Sequence, residues 1–194
     1  MKLIVRAALV LLLPACGAVK LVPPNELPGG AKPQNLGFEQ GTYAGSLPNG
    51  WVIARGSGGG SPDDYRYEVD SEVKYSSKSS LRISLAAPIV NKHGGLAQCL
   101  NTPQPGQRIR LSGHLRSEGI EGWGGSLWIQ ASSADGKSVG FQNMNGRTVT
   151  GSSDWSKHSV EITPGESAAR LCFGVFLNGK GRLWADELVL DNGK

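Results

Sequence analysis

The stretch Leu171–Leu190, LCFGVFLNGKGRLWADELVL, decides the fold class. Leu171, Phe173, Val175 and Leu177 recur at every second position. That is the period at which successive side chains of a β-strand reach the same face. Asn178-Gly179 follows at once. Asn-Gly after such a run is a strong hairpin signal, because both residues tolerate the positive φ of a tight turn. Leu183 to Leu190 then reads as the returning, last strand. The expectation is a core strand, a turn and a closing strand.

The same period recurs upstream. Tyr65, Tyr67 and Val69 alternate with Arg66, Glu68 and Asp70; Leu81, Ile83 and Leu85 alternate with Arg82 and Ser84. Ile109, Leu111, Gly113 and Leu115 alternate with Arg108, Arg110, Ser112, His114 and Arg116, a strand with a strongly polar outer face. Leu127 and Ile129 oppose Trp128 and Gln130, and His158, Val160 and Ile162 continue the pattern. Between them lies Phe141–Trp155, FQNMNGRTVTGSSDW, in which bulky apolar residues are interleaved with Asn143, Asn145, Arg147 and Asp154. About ten strands and no helix beyond the N-terminus predict an all-β sandwich, barrel or jelly roll. Glycine supports this: 28 of 194 residues, about twice the usual share of roughly 7%, fall mostly between apolar runs.

Met1 to Cys16, MKLIVRAALVLLLPAC, reads as an address. Lys2 and Arg6 form a positive n-region, and Ala7 to Leu13 an apolar run shorter than the roughly 20 residues a spanning helix needs. Leu13-Pro14-Ala15-Cys16 resembles the lipobox of bacterial lipoproteins, although Pro14 is unusual there. The resemblance implies a signal peptide over residues 1–15, diacylglycerol and an acyl chain on Cys16, and outer-membrane sorting, since Gly17 is not Asp. The plainer reading is an ordinary secretory signal cut near Ala15 or Ala18. Residues 16–34, rich in Pro and Gly, read as a tether spanning about 25 Å as a coil. The folded domain is expected over residues 35–194.

Without Lys2 and Arg6, 18 basic residues face 16 acidic ones, and no Lys/Arg block forms a stripe. That argues against a nucleic-acid partner.

Asn35-Leu36-Gly37-Phe38-Glu39 with Leu47-Pro48-Asn49-Gly50-Trp51, Ser80-Leu81-Arg82-Ile83, and Leu183-Trp184-Ala185-Asp186-Glu187-Leu188 together resemble the galactose-binding-like jelly-roll superfamily. Many carbohydrate-binding modules belong to it. Residues 107–190 more narrowly resemble an accessory domain found fused to S41-type peptidases and AraC-type regulators, through Phe141-Gln142-Asn143-Met144 and Gly151-Ser152-Ser153-Asp154-Trp155 among other pieces. The resemblance implies a single jelly-roll β-sandwich with an accessory binding role. It also implies a structural Ca²⁺ held by Glu39 and Asp186; carboxylates plus backbone carbonyls suit that ion. The competing reading has Glu39 hydrogen-bonding locally and Asp186 facing solvent. No other cofactor is required.

Catalytic patterns do not survive their context. Ser71-Glu72-Val73-Lys74 matches Ser-x-x-Lys, but it lies in a polar connection without the helix start and partner motifs that chemistry needs. His93, His114 and His158 have no His or Cys at ligand spacing. Residues 55–64, RGSGGGSPDD, lack the Gly-Lys-Ser/Thr that closes a phosphate cradle. The chain is therefore read as non-catalytic. Cys99 and Cys172 remain after lipidation, either bridged in an oxidising compartment or as two buried thiols.

Binding is carried by aromatic residues. Trp123 stands in the glycine-rich stretch Gly119 to Gly125, and Trp128 is out of phase with core positions Leu127 and Ile129. Arg116, Gln130, Asn143 and Arg147 are the polar candidates beside them. Trp51, Trp155 and Trp184 read as core or sheet-edge packing. The expected role is binding of carbohydrate or another cell-envelope glycan by a membrane-anchored domain. The rival is a structural or interaction module that docks an envelope protein partner.

Overall fold

The alternating runs do form strands, and two of them run through segments that look like turns. The computed structural model describes residues 29–30, 32–43, 45–54, 64–76, 78–86, 93–101 and 105–192; the signal segment, Cys16 and the glycine loop at 55–63 lie outside them. The strands are β1 (Gly29–Gly30), β2 (Thr42–Tyr43), β3 (Leu47–Pro48), β4 (Val52–Ala54), β5 (Tyr65–Asp70) and β6 (Ser80–Leu85). They continue with β7 (His93–Leu100), β8 (Ile109–Ser133), β9 (Ser138–Asn143), β10 (Val149–Ile162) and β11 (Ala168–Asp191).

β8 and β11 pair antiparallel from Ala168↔Ser133 to Asp191↔Arg110 and belong to both layers of a jelly-roll sandwich. The first layer has the order β4-β7-β11-β8-β9, using Leu171–Asn178 of β11. The second has the order β5-β6-β11-β8-β10, using Arg182–Ala185 of β11 against β6. Inward residues of the two layers meet in one core. Leu127, Ile129, Phe173 and Val175 come from the first, and Leu81, Ile83, Leu115 and Leu183 from the second, all fully buried. Trp51 joins this core fully buried, its ring 5.3 Å from Phe38 and edge-on to Phe173 at 6.1 Å.

The bend between the layers is made of glycine. Gly122 and Gly124 on β8, and Gly179 and Gly181 on β11, all have φ between 105° and 122°. A Cβ on Gly179 would lie 2.0 Å from the Glu121 carbonyl oxygen, and one on Gly122 would lie 2.9 Å from Gly179 Cα. The two strands thus cross at backbone contact, which only glycine permits. This corrects two expectations. Asn178-Gly179 is not a hairpin turn, and Gly119 to Gly125 is not a loop. In both places the chain continues in pairing, Asn178 with Gly124 and Lys180 with Glu121, because each strand supplies the other's hydrogen-bond partners through the bend.

Two further outcomes concern the edge of the first layer. Gly29 and Gly30, expected in the tether, add to β7 in parallel, with Gly29 opposite Cys99. The Asn101 side-chain amide donates to the Gly29 carbonyl at 3.2 Å. Ordered pairing therefore begins ahead of residue 35. Cys99 and Cys172 are cross-strand neighbours, Cα atoms 4.1 Å apart, and form a disulfide.

Candidate functional site

In each layer the residues out of phase with the core make an outer face. On the first layer that face begins with the disulfide. Around it Ala97, Trp128 and Cys172 form a small apolar cluster, with Val52, Ala54 and Phe176 packed against it. Gly174 makes room for the Trp128 ring; a Cβ there would sit 3.0 Å from Trp128 Nε1. Trp123 stacks on Phe176, centroids 5.4 Å apart and planes 21° apart, and His93 meets the other ring edge-on at 6.2 Å. Trp123 is 36% exposed whereas Trp128 is 7% exposed. Trp128 is thus the floor of this face and Trp123 its accessible ring. Asn143 pairs in register with Trp128 and Gln130 with Phe141 and Cys172, so both amides border the floor. Both are half-buried, and Phe141 is exposed beside them.

Arg116 and Arg147 do not join this group. Arg116 precedes the bend of β8 and Gln130 follows it, so one strand delivers them to different layers. The Arg116 guanidinium lies 5.1 Å over the Trp184 ring and 3.6 Å from Asp154. Arg147 donates to the Ser159 carbonyl at 3.4 Å, at the edge of the second layer. The residues missed by sequence are Phe176 and His93. Phe176 carried a signal: it is the aromatic residue out of phase in the Leu171–Leu177 run, as Trp128 is in its own.

The outer face of the second layer is polar and tightly knit. Trp184, 1% exposed, donates its indole N–H to Asp70 at 2.9 Å. Burial pushes the Asp70 carboxyl up. The Trp184 indole, the Val73 and Glu72 N–H groups and Arg82 together outweigh it and hold Asp70 below its ordinary value. Tyr75 stacks on His114 at 3.6 Å and 12°, and its other edge meets Trp155 at 5.9 Å. Trp155, expected as packing, is half-exposed on this face, while Trp51 and Trp184 are buried.

Glu39 and Asp186, for which the resemblance implies calcium, both accept backbone N–H groups. Asp186 accepts the N–H groups of Tyr75 and Ser76 on one oxygen, at 3.0 and 3.1 Å, and that of Glu187 on the other. Glu39 accepts those of Lys78 and Ser79, both at 3.0 Å. Both carboxylates brace the β5–β6 connection through backbone N–H groups. Among the described residues no group of three or more His, Cys, Asp or Glu is placed to hold a metal ion. Burial raises the Asp186 carboxyl above its ordinary value despite these donors.

Two catalytic patterns find no support in geometry. Lys74 donates to the Ser71 backbone carbonyl at 2.6 Å, not to its hydroxyl. Ser156 Oγ lies 2.8 Å from His158 Nε2, but among the described residues no carboxylate orients that imidazole.

No family profile matches the chain. The uncharacterized HTH-type transcriptional regulator YbfP of Bacillus subtilis (strain 168) is 28% identical over 152 residues, covering 77% of this chain. The chain spans about half the length of that relative, 50%. Among solved structures, the Family 16 Carbohydrate Binding Module-2 superposes with TM-score 0.52 at 17% identity, covering 66% of this chain and 86% of its own. TmCBM61, solved in complex with beta-1,4-galactotriose, gives 0.53 at 14%, covering 84% and 99%. A Stig cyclase, Fisc from Fischerella sp. TAU, gives 0.58 at 16%, covering 84% and 96%. Binding modules and an enzyme thus share this fold.

Proposed function

We propose that this chain is a non-catalytic binding module for carbohydrate, held at the cell envelope through a lipid on Cys16. One observation carries the reading: the open ring of Trp123, stacked on Phe176 above a Trp128 floor, with Gln130 and Asn143 at its border. A flat apolar ring takes the C–H face of a sugar, and a few fixed amides take its hydroxyls. The fold shared with carbohydrate-binding modules supports the reading. The resemblance of Leu13-Pro14-Ala15-Cys16 to a lipobox supports the address.

The test is a glycan array probed with the full chain carrying Cys16→Ala, beside Trp123→Ala and Trp128→Ala versions. Binding to a neutral glycan is expected, lost in Trp123→Ala while its melting temperature is retained. Trp128→Ala is expected to lose both binding and stability, because it removes the floor. Absence of binding to every glycan, peptidoglycan fragments included, would sink the reading. It would favour the interaction module, for which Phe141, 55% exposed, is the first contact to examine. Labelled palmitate that wild type fails to incorporate would remove the anchor from the proposal.

A further inference from the structure

The outer face of the second layer carries a strip that none of the preceding roles uses. Outward residues of β8 and β10 stand opposite each other in rows: His114 with Lys157, Ser112 with Ser159, Arg110 with Glu161. Between them runs a groove of about 310 Å³ lined by Arg110, Ser112, Lys157, His158 and Ser159. At one end the exposed Tyr75 ring stacks on His114, and the half-exposed Trp155 meets the edge of Tyr75.

Charge on this strip is one-sided in the middle. Arg110 is paired with Asp191 at 3.2 Å, and Glu161 with Arg108 at 3.3 Å. Asp186 is buried under its N–H donors, Asp154 faces Arg116, and Glu187, exposed at the His114 end, accepts from the Ser76 hydroxyl. Lys157 and Arg147 are exposed, and among the described residues no carboxylate pairs with either. Lys157 lines the groove, and Arg147 donates to the backbone carbonyl of Ser159, one of the groove's lining residues. The neighbouring imidazoles feel this field. After burial, Lys157 is the main charge holding His114 down, and Arg147 the main one holding His158 down, against Asp186 and Glu187 pulling His114 up.

We infer that this strip is a second saccharide site, selective for uronate-bearing chains. A sugar ring lies against Tyr75 and Trp155, and a carboxylate enters the groove between Lys157 and Arg147 over the Ser112 and Ser159 hydroxyls. A neutral sugar leaves both cations unanswered; a carboxylate answers them and accepts from the serines. The inference rests on the carbohydrate reading for its ligand class only, because the strip and the Trp123 face lie on opposite layers.

Titration calorimetry of the full chain carrying Cys16→Ala tests it, with a galacturonate tetrasaccharide, its methyl ester and inorganic phosphate as probes. The acid is expected to bind, and the ester at least about tenfold more weakly, since removing the charges removes the ion pairs. Lys157→Ala and Arg147→Ala are each expected to weaken the acid about three- to fivefold, at unchanged melting temperature. Affinity falls with added salt, and Trp123→Ala changes nothing. Equal binding of acid and ester, indifference to both substitutions, or phosphate binding as tightly as the saccharide would overturn the inference. So would no binding of the acid, which leaves the Trp123 face and its neutral glycan standing. A neutral-glycan failure with the acid still bound overturns only the Trp123 reading.

Discussion

The indole N–H of Trp184 donates to Oδ2 of Asp70 at 2.9 Å, tying the last strand to β5 across 114 residues of sequence. The same carboxylate accepts the N–H groups of Glu72 and Val73 on its other oxygen, at 2.9 and 3.1 Å, and lies 3.3 Å from Arg82. One buried side chain thus ends β5, orients the turn after it and fixes the tryptophan under Arg116. Asp70→Ala is expected to lower unfolding free energy by about 3 kcal/mol, because several donors lose their acceptor at once. Asp70→Asn keeps one acceptor oxygen and is expected to lose about half as much. Urea unfolding followed by tryptophan fluorescence measures both; equal effects would mean that the acceptor oxygen kept by Asn contributes nothing to stability.

The disulfide joins neighbouring strands but closes a loop of 73 residues in sequence. Replacing both Cys99 and Cys172 by Ala is expected to cost about 2–4 kcal/mol, mostly by freeing the unfolded chain. Because the bridge sits beside the Trp128 floor, the double variant should also weaken binding at the Trp123 face. A melting temperature insensitive to reductant would show that the bridge contributes little.

Gly179 tests the crossing of β8 and β11. Alanine there meets both a positive φ of 113° and the Glu121 carbonyl 2.0 Å away. A loss of more than about 3 kcal/mol is expected, since the clash is with backbone that the paired strand cannot move. Gly136, with φ 81° and open space around it, is the control, and Gly136→Ala is expected to lose only about 1 kcal/mol. Comparable stabilities for the two variants would mean that Gly179 is an ordinary turn glycine after all.

Acid should weaken the fold in the window set by its imidazoles. Burial first, then Lys157 and Arg147 respectively, lower the pKa of His114 and His158 below the ordinary value of about 6.5. The unfolded chain then binds more protons than the native one. Stability from these groups is complete above the unfolded value and is lost as pH falls through the folded ones. Asp186, raised by burial, has the opposite sign, contributing less as pH rises. The melting temperature is therefore compared, pH by pH, with that of a His114→Gln, His158→Gln variant. Wild type is expected to fall more steeply from about pH 7 downward. Parallel curves would show that neither imidazole is linked to folding.

The division between what was readable and what was not follows the range of the forces involved. Period-two alternation in Leu171–Leu177, Leu81–Leu85 and Ile109–Leu115 is a local property, and the sequence alone determined that these are strands with one buried face. It also singled out Trp128 and Gln130, out of phase with Leu127 and Ile129, Trp123 for its glycine-rich surroundings, and Asn143 among the polar residues of Phe141–Trp155. The disulfide stayed open between bridge and free thiols until β7 and β11 were in register. Asn178-Gly179 and Gly119–Gly125 misled for a physical reason. Glycine permits a turn, a bulge or a backbone crossing equally, and only the partner strand, some 55 residues away, selects among them. That choice alone carried Arg116 to one layer and Gln130 to the other, and β10 pairing with β8 set Lys157 and the paired Ser112 and Ser159 along one groove.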